Sequence, residues 1–126
     1  RSGKLVHNSV TYHTMQNINC ESSNVIYALR CSLCDILYVG QTENRIKDRF
    51  SNHLSTIKHN YNTTVSRHFN IGHQRGSDPP FKIYILEFIK LPPKSLKAKR
   101  LRDSKEISWI ARLNTLVPSG LNLADG

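Results

Sequence analysis

With 126 residues, 38% hydrophobic and 21% charged, the chain has room for one folded domain with a modest core and lacks the composition of a disordered tail. A formal charge of +9, from 18 Lys and Arg against 9 Asp and Glu, points to a polyanionic partner, nucleic acid first. No apolar run approaches the roughly 18–20 residues of a membrane span, and no signal peptide is recognisable. Three cysteines fit no paired disulfide framework and favour a reduced, intracellular setting. The first residue is Arg, not Met, which reads as a piece of a longer protein.

Residues 1–20 are polar and weakly patterned and are expected to be an N-terminal connector or arm, with the domain proper over 21–126. Asn24–Leu29 and Ile36–Val39 are short, apolar and β-prone. Gly40–Asn44 is expected to turn into a helix. From Arg45 to Ile57 the residues Ile46, Phe50, Leu54 and Ile57 recur at helical spacing. Thr63–Asn70 is a shorter helical segment capped by Thr63 or Thr64. Gln74–Pro80 has loop composition. Phe81–Ile89 predicts a third strand, and Ser95 can cap a long helix to about Leu113. The order β-β-α-α-β-α predicts an α+β domain with a small three-stranded, mainly antiparallel sheet flanked by helices.

Two helical stripes carry polar residues where apolar ones belong. Arg49 and His53 lie in the stripe of Ile46, Phe50, Leu54 and Ile57. A charge there must pair, face a cleft, or snorkel at the margin. On the last helix Glu106 aligns with Trp109, Ile110 and Leu113; it is either in a site or at the margin beside Arg102 or Lys105. With the strand tyrosines Tyr27 and Tyr38, this set suits phosphodiester chemistry. Glu can hold a divalent metal, Arg can stabilise charge at phosphorus, and Tyr or His can orient and deprotonate water. A tyrosine of ordinary pKa, about 10, needs a nearby cation to act as a base at neutral pH.

The cysteines offer a second site. Cys31 and Cys34 form CxxC, and His68 and His73 form HxxxxH, a donor set suited to a closed structural Zn²⁺ site. Such a metal would staple the strand connection to the helical layer. Cys20 or His59 could replace a ligand. A redox CxxC and unrelated free thiols are the competing readings; redox pairs usually sit at a helix N-terminus. Arg45 and Lys47 on the first helix, with Lys97, Lys99, Arg100 and Arg102 on the last, are expected to clamp DNA phosphates and carry little sequence information.

Val25-Ile-Tyr27, Tyr38-Val-Gly40, Arg49, His53, Glu106 and Asn122 together resemble the GIY-YIG nuclease superfamily. NVIYALRCSLCDILYVGQT, HFNIGH at 68–73 and WIARLNTLVPSGLN resemble the endonuclease domain of Penelope-like retroelements, from about Cys20 to Asn122. That resemblance implies a metal-dependent DNA endonuclease using one Mg²⁺ or Mn²⁺, with structural zinc in this branch. It implies Tyr27 as general base, Tyr38 positioning water and phosphate, and Arg49 on the scissile phosphate. It implies His53 assisting proton transfer, Glu106 on the metal, and Asn122 bracing the site, with Asn114 as the nearby alternative. Val25 stands where the first motif usually has Gly. The parent protein would carry a reverse transcriptase with its template RNA. The domain would nick chromosomal DNA in the nucleus, and the exposed 3′ end would prime cDNA synthesis. The alternative function is a catalytically inactive, zinc-stapled nucleic-acid-binding module.

Overall fold

A computed structural model describes residues 4–7, 10–13, 22–72 and 80–123. Ser23–Cys31 forms strand β3, the centre of a three-stranded antiparallel sheet, with β4 (Leu37–Arg45) on one side and β5 (Phe81–Phe88) on the other. Its run Val25-Ile-Tyr-Ala-Leu29 is buried throughout, because both faces of this strand are covered. The expected turn at Gly40–Asn44 is instead the second half of β4. The chain enters α1 (Ile46–Lys58) directly from that strand, and the Ile46 amide bonds the Ser22 carbonyl at 2.7 Å.

Alternation along the strands builds two cores. Ile26, Ala28, Leu37, Val39, Tyr84 and Leu86 face α3 (Leu96–Leu113) and pack on Ala98, Trp109 and Leu113. Val25, Tyr27, Leu29, Phe81 and Ile85 face the other way. They meet Ile46 and Ile57 of α1, Val65 of α2 (Thr64–Arg67), and Phe69 in the π-helical turn His68–Gly72. Thr63 caps α2, and its hydroxyl accepts from the Ser66 amide at 3.1 Å; Ser95 caps α3 in the same way through the Ala98 amide. The third strand and both caps lie where the sequence places them.

Two strands, β1 (Lys4–His7) and β2 (Val10–His13), form a separate antiparallel hairpin within the expected connector. Leu5 is fully buried in the α3-side core, and Tyr12 packs edge-on to Trp109. The scattered apolar residues Leu5, Val6, Val10 and Tyr12 in a polar segment carry too little periodicity to show this from sequence. The expected boundary between residues 20 and 21 lies outside the described residues.

After α3 the chain folds back along the free edge of β4. The Leu121 amide bonds the Leu37 carbonyl at 2.9 Å. The Asn122 side chain then does what a neighbouring strand would do: its oxygen accepts from the Val39 amide at 2.8 Å, and its nitrogen donates to the Val39 carbonyl at 2.9 Å. Thr115 adds a hydroxyl to the same oxygen at 2.7 Å. Asn114, the alternative, is exposed and serves as the left-handed C-cap of α3.

If the N-terminal hairpin is part of the folded unit, Leu5→Ala should lower stability by about 2–5 kcal/mol, read as a shifted urea midpoint. An unchanged midpoint would show the hairpin to be dispensable.

Candidate active site

Tyr27 on β3 lies directly opposite Gly40 on β4. Its ring leans across that glycine so closely that a Cβ there would fall 2.5 Å from both Cζ and the hydroxyl oxygen. Any side chain at position 40 would displace the phenol. The Tyr-x-Gly spacing thus has a local physical reason: the glycine makes room for the tyrosine of the neighbouring strand.

The Tyr27 hydroxyl is buried and fully bonded. It accepts from Nε of Arg49 at 2.8 Å and donates to Nε2 of His53, also at 2.8 Å. Arg49 and His53 stand one helical turn apart on α1, so both reach the same hydroxyl. His53 is packed edge-on among the rings of Tyr27, Tyr38 and Phe81. Neither His53 nor Arg49 snorkels away from the stripe.

Burial dominates the titration of this group. It pushes the Tyr27 phenol well up, and the opposing pull of Arg49 does not bring it down. Burial also raises Tyr38. Burial, then the Arg49 charge, lowers His53 to about 3, which keeps the ring neutral and its Nε2 able to accept the Tyr27 hydrogen bond. The cation that sequence reasoning requires beside the tyrosine is present. The phenol nonetheless stays protonated in this ground state.

Beyond this group opens a cleft of about 900 Å³. Tyr38, Arg49, His53, Glu106 and Asn122 all line it. Tyr27 does not; it sits behind the wall with no exposed surface. Five of the six expected site residues therefore share one cleft, and the sixth is one hydrogen bond behind it.

Two further residues belong here that the sequence reading missed. Asp103 lines the cleft one turn before Glu106 on α3. Gln41, two residues beyond Val39 on the α3 side of β4, donates from Nε2 to both carboxylates, each at 2.8 Å. The i, i+3 spacing of Asp103 and Glu106 was the available signal. Two carboxylates on the wall of an open cleft suit a hard divalent cation, whose other positions water and phosphate oxygens can fill.

Arg102 requires a correction. Its side chain is 4% exposed, so it is no phosphate clamp. It bonds the Asn24 side chain, the Pro93 carbonyl and the Gln41 side chain, and pairs with Glu43 at 3.5 Å. A buried guanidinium tolerates that position only with such partners. The marginal pairing considered for Glu106 is also not formed: Lys105 pairs instead with Glu87 at 2.9 Å. Lys47, Lys97 and Arg100 are exposed. Arg45 pairs with Asp48 at 3.1 Å and Lys99 with Asp103 at 3.2 Å.

The second cluster forms at the β3–β4 connection. The ligand atoms of Cys31, Cys34 and His68 all lie within 4.8 Å of one another. Cys31 ends β3, Cys34 lies in the following turn, and His68 begins the π-helical turn. Two sulfurs and one imidazole converging on a point are a sound zinc donor set needing one more ligand. His73 and Cys20 lie outside the described residues. His59 is engaged elsewhere, bonded to the Ser55 carbonyl and stacked on Tyr61. Burial pushes the Cys31 thiol up, opposite to what a redox CxxC needs.

Comparison with known proteins agrees with this fold. Residues 23–121 match the sequence profile of the GIY-YIG catalytic domain. The fold is similar to the structure of the catalytic domain of homing endonuclease I-TevI, with a TM-score of 0.62 and 27% identity over 80% of this chain and 98% of that one. No curated protein is significantly similar in sequence. The chain belongs to the GIY-YIG family. It is a DNA endonuclease of that family, whose members use divalent metals. Among the described residues no helix is long and apolar enough to cross a membrane.

The lowered His53 pKa has a stability consequence. The unfolded chain binds a proton at this residue below about pH 6.5, while the folded one resists until about pH 3. The contribution is complete above pH 6.5 and is lost as pH falls towards 3, with about 2 kcal/mol gone by pH 5. Urea unfolding at pH 7 and pH 5 should show this slope in the wild type and a shallower one in His53→Gln. Equal slopes would contradict a neutral, buried His53.

Proposed function

We propose that this domain is the endonuclease of a Penelope-like retroelement, and that it nicks chromosomal DNA to supply the 3′ end for target-primed reverse transcription. The observation that carries the catalytic reading is that Tyr38, Arg49, His53 and Glu106 wall one cleft. Support for the retroelement assignment is the resemblance of NVIYALRCSLCDILYVGQT and HFNIGH, in which the CxxC and His68 converge. On this reading residues 21–126 are the catalytic unit and residues 1–20 lead into it. A reverse transcriptase with its template RNA belongs to the same polyprotein, and the site of action is the nucleus.

Each residue then has a task. Glu106 would hold the catalytic Mg²⁺ or Mn²⁺, which supplies charge stabilisation and an acidified water when bound. Arg49 faces the cleft and would meet the scissile phosphate. A phosphate that draws Arg49 forward uncovers the Tyr27 hydroxyl. Tyr27 would then act as general base, taking a proton from water as its own shifts towards His53 Nε2, 2.8 Å away. The negative charge of the bound phosphate would oppose the burial and the Arg49 charge that hold His53 neutral in the resting site. Tyr38 would orient water and phosphate from the cleft wall. Asn122 holds the backbone at Val39, between Tyr38 and Gly40, and so braces both. Zinc on Cys31, Cys34, His68 and a fourth ligand, His73 in our reading, would tie the β3–β4 connection to the helical layer. Arg45, Lys47, Lys97, Lys99 and Arg100 would give salt-sensitive, weakly specific phosphate contacts.

Wild-type protein should nick supercoiled plasmid with Mg²⁺ or Mn²⁺, and Glu106→Ala should be slower by about 10²-fold or more at unchanged DNA binding. The same preparations should carry one zinc by mass spectrometry, lost in Cys34→Ser together with stability. Equal nicking by wild type and Glu106→Ala would remove the catalytic assignment. Absence of nicking by any preparation, with DNA binding retained, would favour the inactive zinc-stapled binding module.

A further inference from the structure

Gln41 occupies the junction between a buried cation and two carboxylates. Arg102 is held from one side by the Asn24 side chain at 2.6 Å and the Pro93 carbonyl at 2.9 Å. Asn24 is itself fixed, donating to the Ile89 and Leu91 carbonyls at 2.8 and 2.9 Å. From its other side Arg102 donates through Nε to the Gln41 oxygen at 3.0 Å. That bond leaves the Gln41 amide only one way round. Both of its N–H groups must then point at α3, and each is taken by one carboxylate, Asp103 and Glu106.

The chemistry of this fork matters. A lysine or arginine in the same place would neutralise the carboxylates and compete with a metal ion. An amide orients two anions while leaving their charge intact. Among the described residues no cationic side chain forms an ion pair with Glu106; Arg102 is linked to it through the Gln41 amide, and Lys99 pairs with Asp103.

We propose that Gln41 is a positioning residue for the metal-holding carboxylate. Its amide transmits the fixed position of Arg102 to Glu106 and Asp103 and sets the orientation in which Glu106 meets a divalent cation. This rests on the reading of Glu106 as the metal holder. Gln41 touches neither substrate nor the reacting atoms; it acts through Glu106. Its side chain lies on the face of β4 opposite to that of Tyr38, so one strand contributes Tyr38 to the cleft and the amide that holds the carboxylates.

The test uses Gln41→Met, which keeps the length of the side chain and removes the fork, and Arg102→Lys, which keeps the charge and loses the Nε donor. Mn²⁺ binding is read by electron paramagnetic resonance of the free ion, and nicking is measured against Mn²⁺ concentration. Glu106→Ala defines the site, and urea midpoints and DNA binding in EDTA report on the fold. Gln41→Met should bind Mn²⁺ about 10-fold or more weakly, with nicking recovering towards the wild-type rate at saturating Mn²⁺. Arg102→Lys should shift binding in the same direction and provides the reading if Gln41→Met does not fold. Wild-type Mn²⁺ affinity in folded Gln41→Met or Arg102→Lys, with the site lost in Glu106→Ala, would overturn the role of Gln41 and leave the endonuclease reading standing. Unchanged Mn²⁺ binding in Glu106→Ala would overturn both.

Discussion

A phenol buried without exposed surface must find its hydrogen bonds inside the protein, and the candidate site is arranged around that constraint. Tyr27 can lie where it does because Gly40 has no side chain, and its hydroxyl is satisfied because Arg49 and His53 are one helical turn apart. An unmet bond there costs about 1–3 kcal/mol. The sheet and α1 are therefore locked in register by a polar contact as well as by the apolar core. Asn122 extends the same logic to β4, giving the edge at Val39 the two bonds of a missing strand.

The constraint also sets the electrostatics. Burial keeps the tyrosines protonated and His53 neutral, so the resting group holds a donor–acceptor chain and no phenolate. The Arg49 charge has its hydrogen bond to the phenol and an open side towards the cleft. From α3, Glu106 and Asp103 reach the same cleft, both held by the Gln41 amide, with Lys99 paired to Asp103. Arg49 of α1 and the carboxylates of α3 thus line one cleft, an arrangement suited to a phosphodiester flanked by a cation. The apolar sequence of β3 makes this possible by placing Tyr27 on one face and Ile26 and Ala28 on the other.

Much of this was legible in the sequence, for definite reasons. The helix stripe of Ile46, Phe50, Leu54 and Ile57 located α1, and the polar residues within it, Arg49 and His53, proved to be the ones that reach Tyr27. Thr63 and Ser95 marked their helices because capping is local. CxxC and His68 came together as their spacing suggested. What stayed hidden was tertiary. Gln41 read as a turn residue because Gly40 looked like a strand end, whereas β4 continues to Arg45. Arg102 read as surface because charged residues seldom lie inside, and only its partners on three other segments permit it. Leu5 gave no periodic signal, although it seals the α3-side core.

The account stands or falls on the single oxygen that joins β3 to α1. Tyr27→Phe removes that atom and leaves the ring, so the packing against Gly40 is kept. Single-turnover nicking of plasmid DNA at saturating metal measures its role most directly. The account predicts a fall of about 10²-fold or more at near-normal DNA affinity and a retained fold. Wild-type nicking by a folded Tyr27→Phe protein would contradict it.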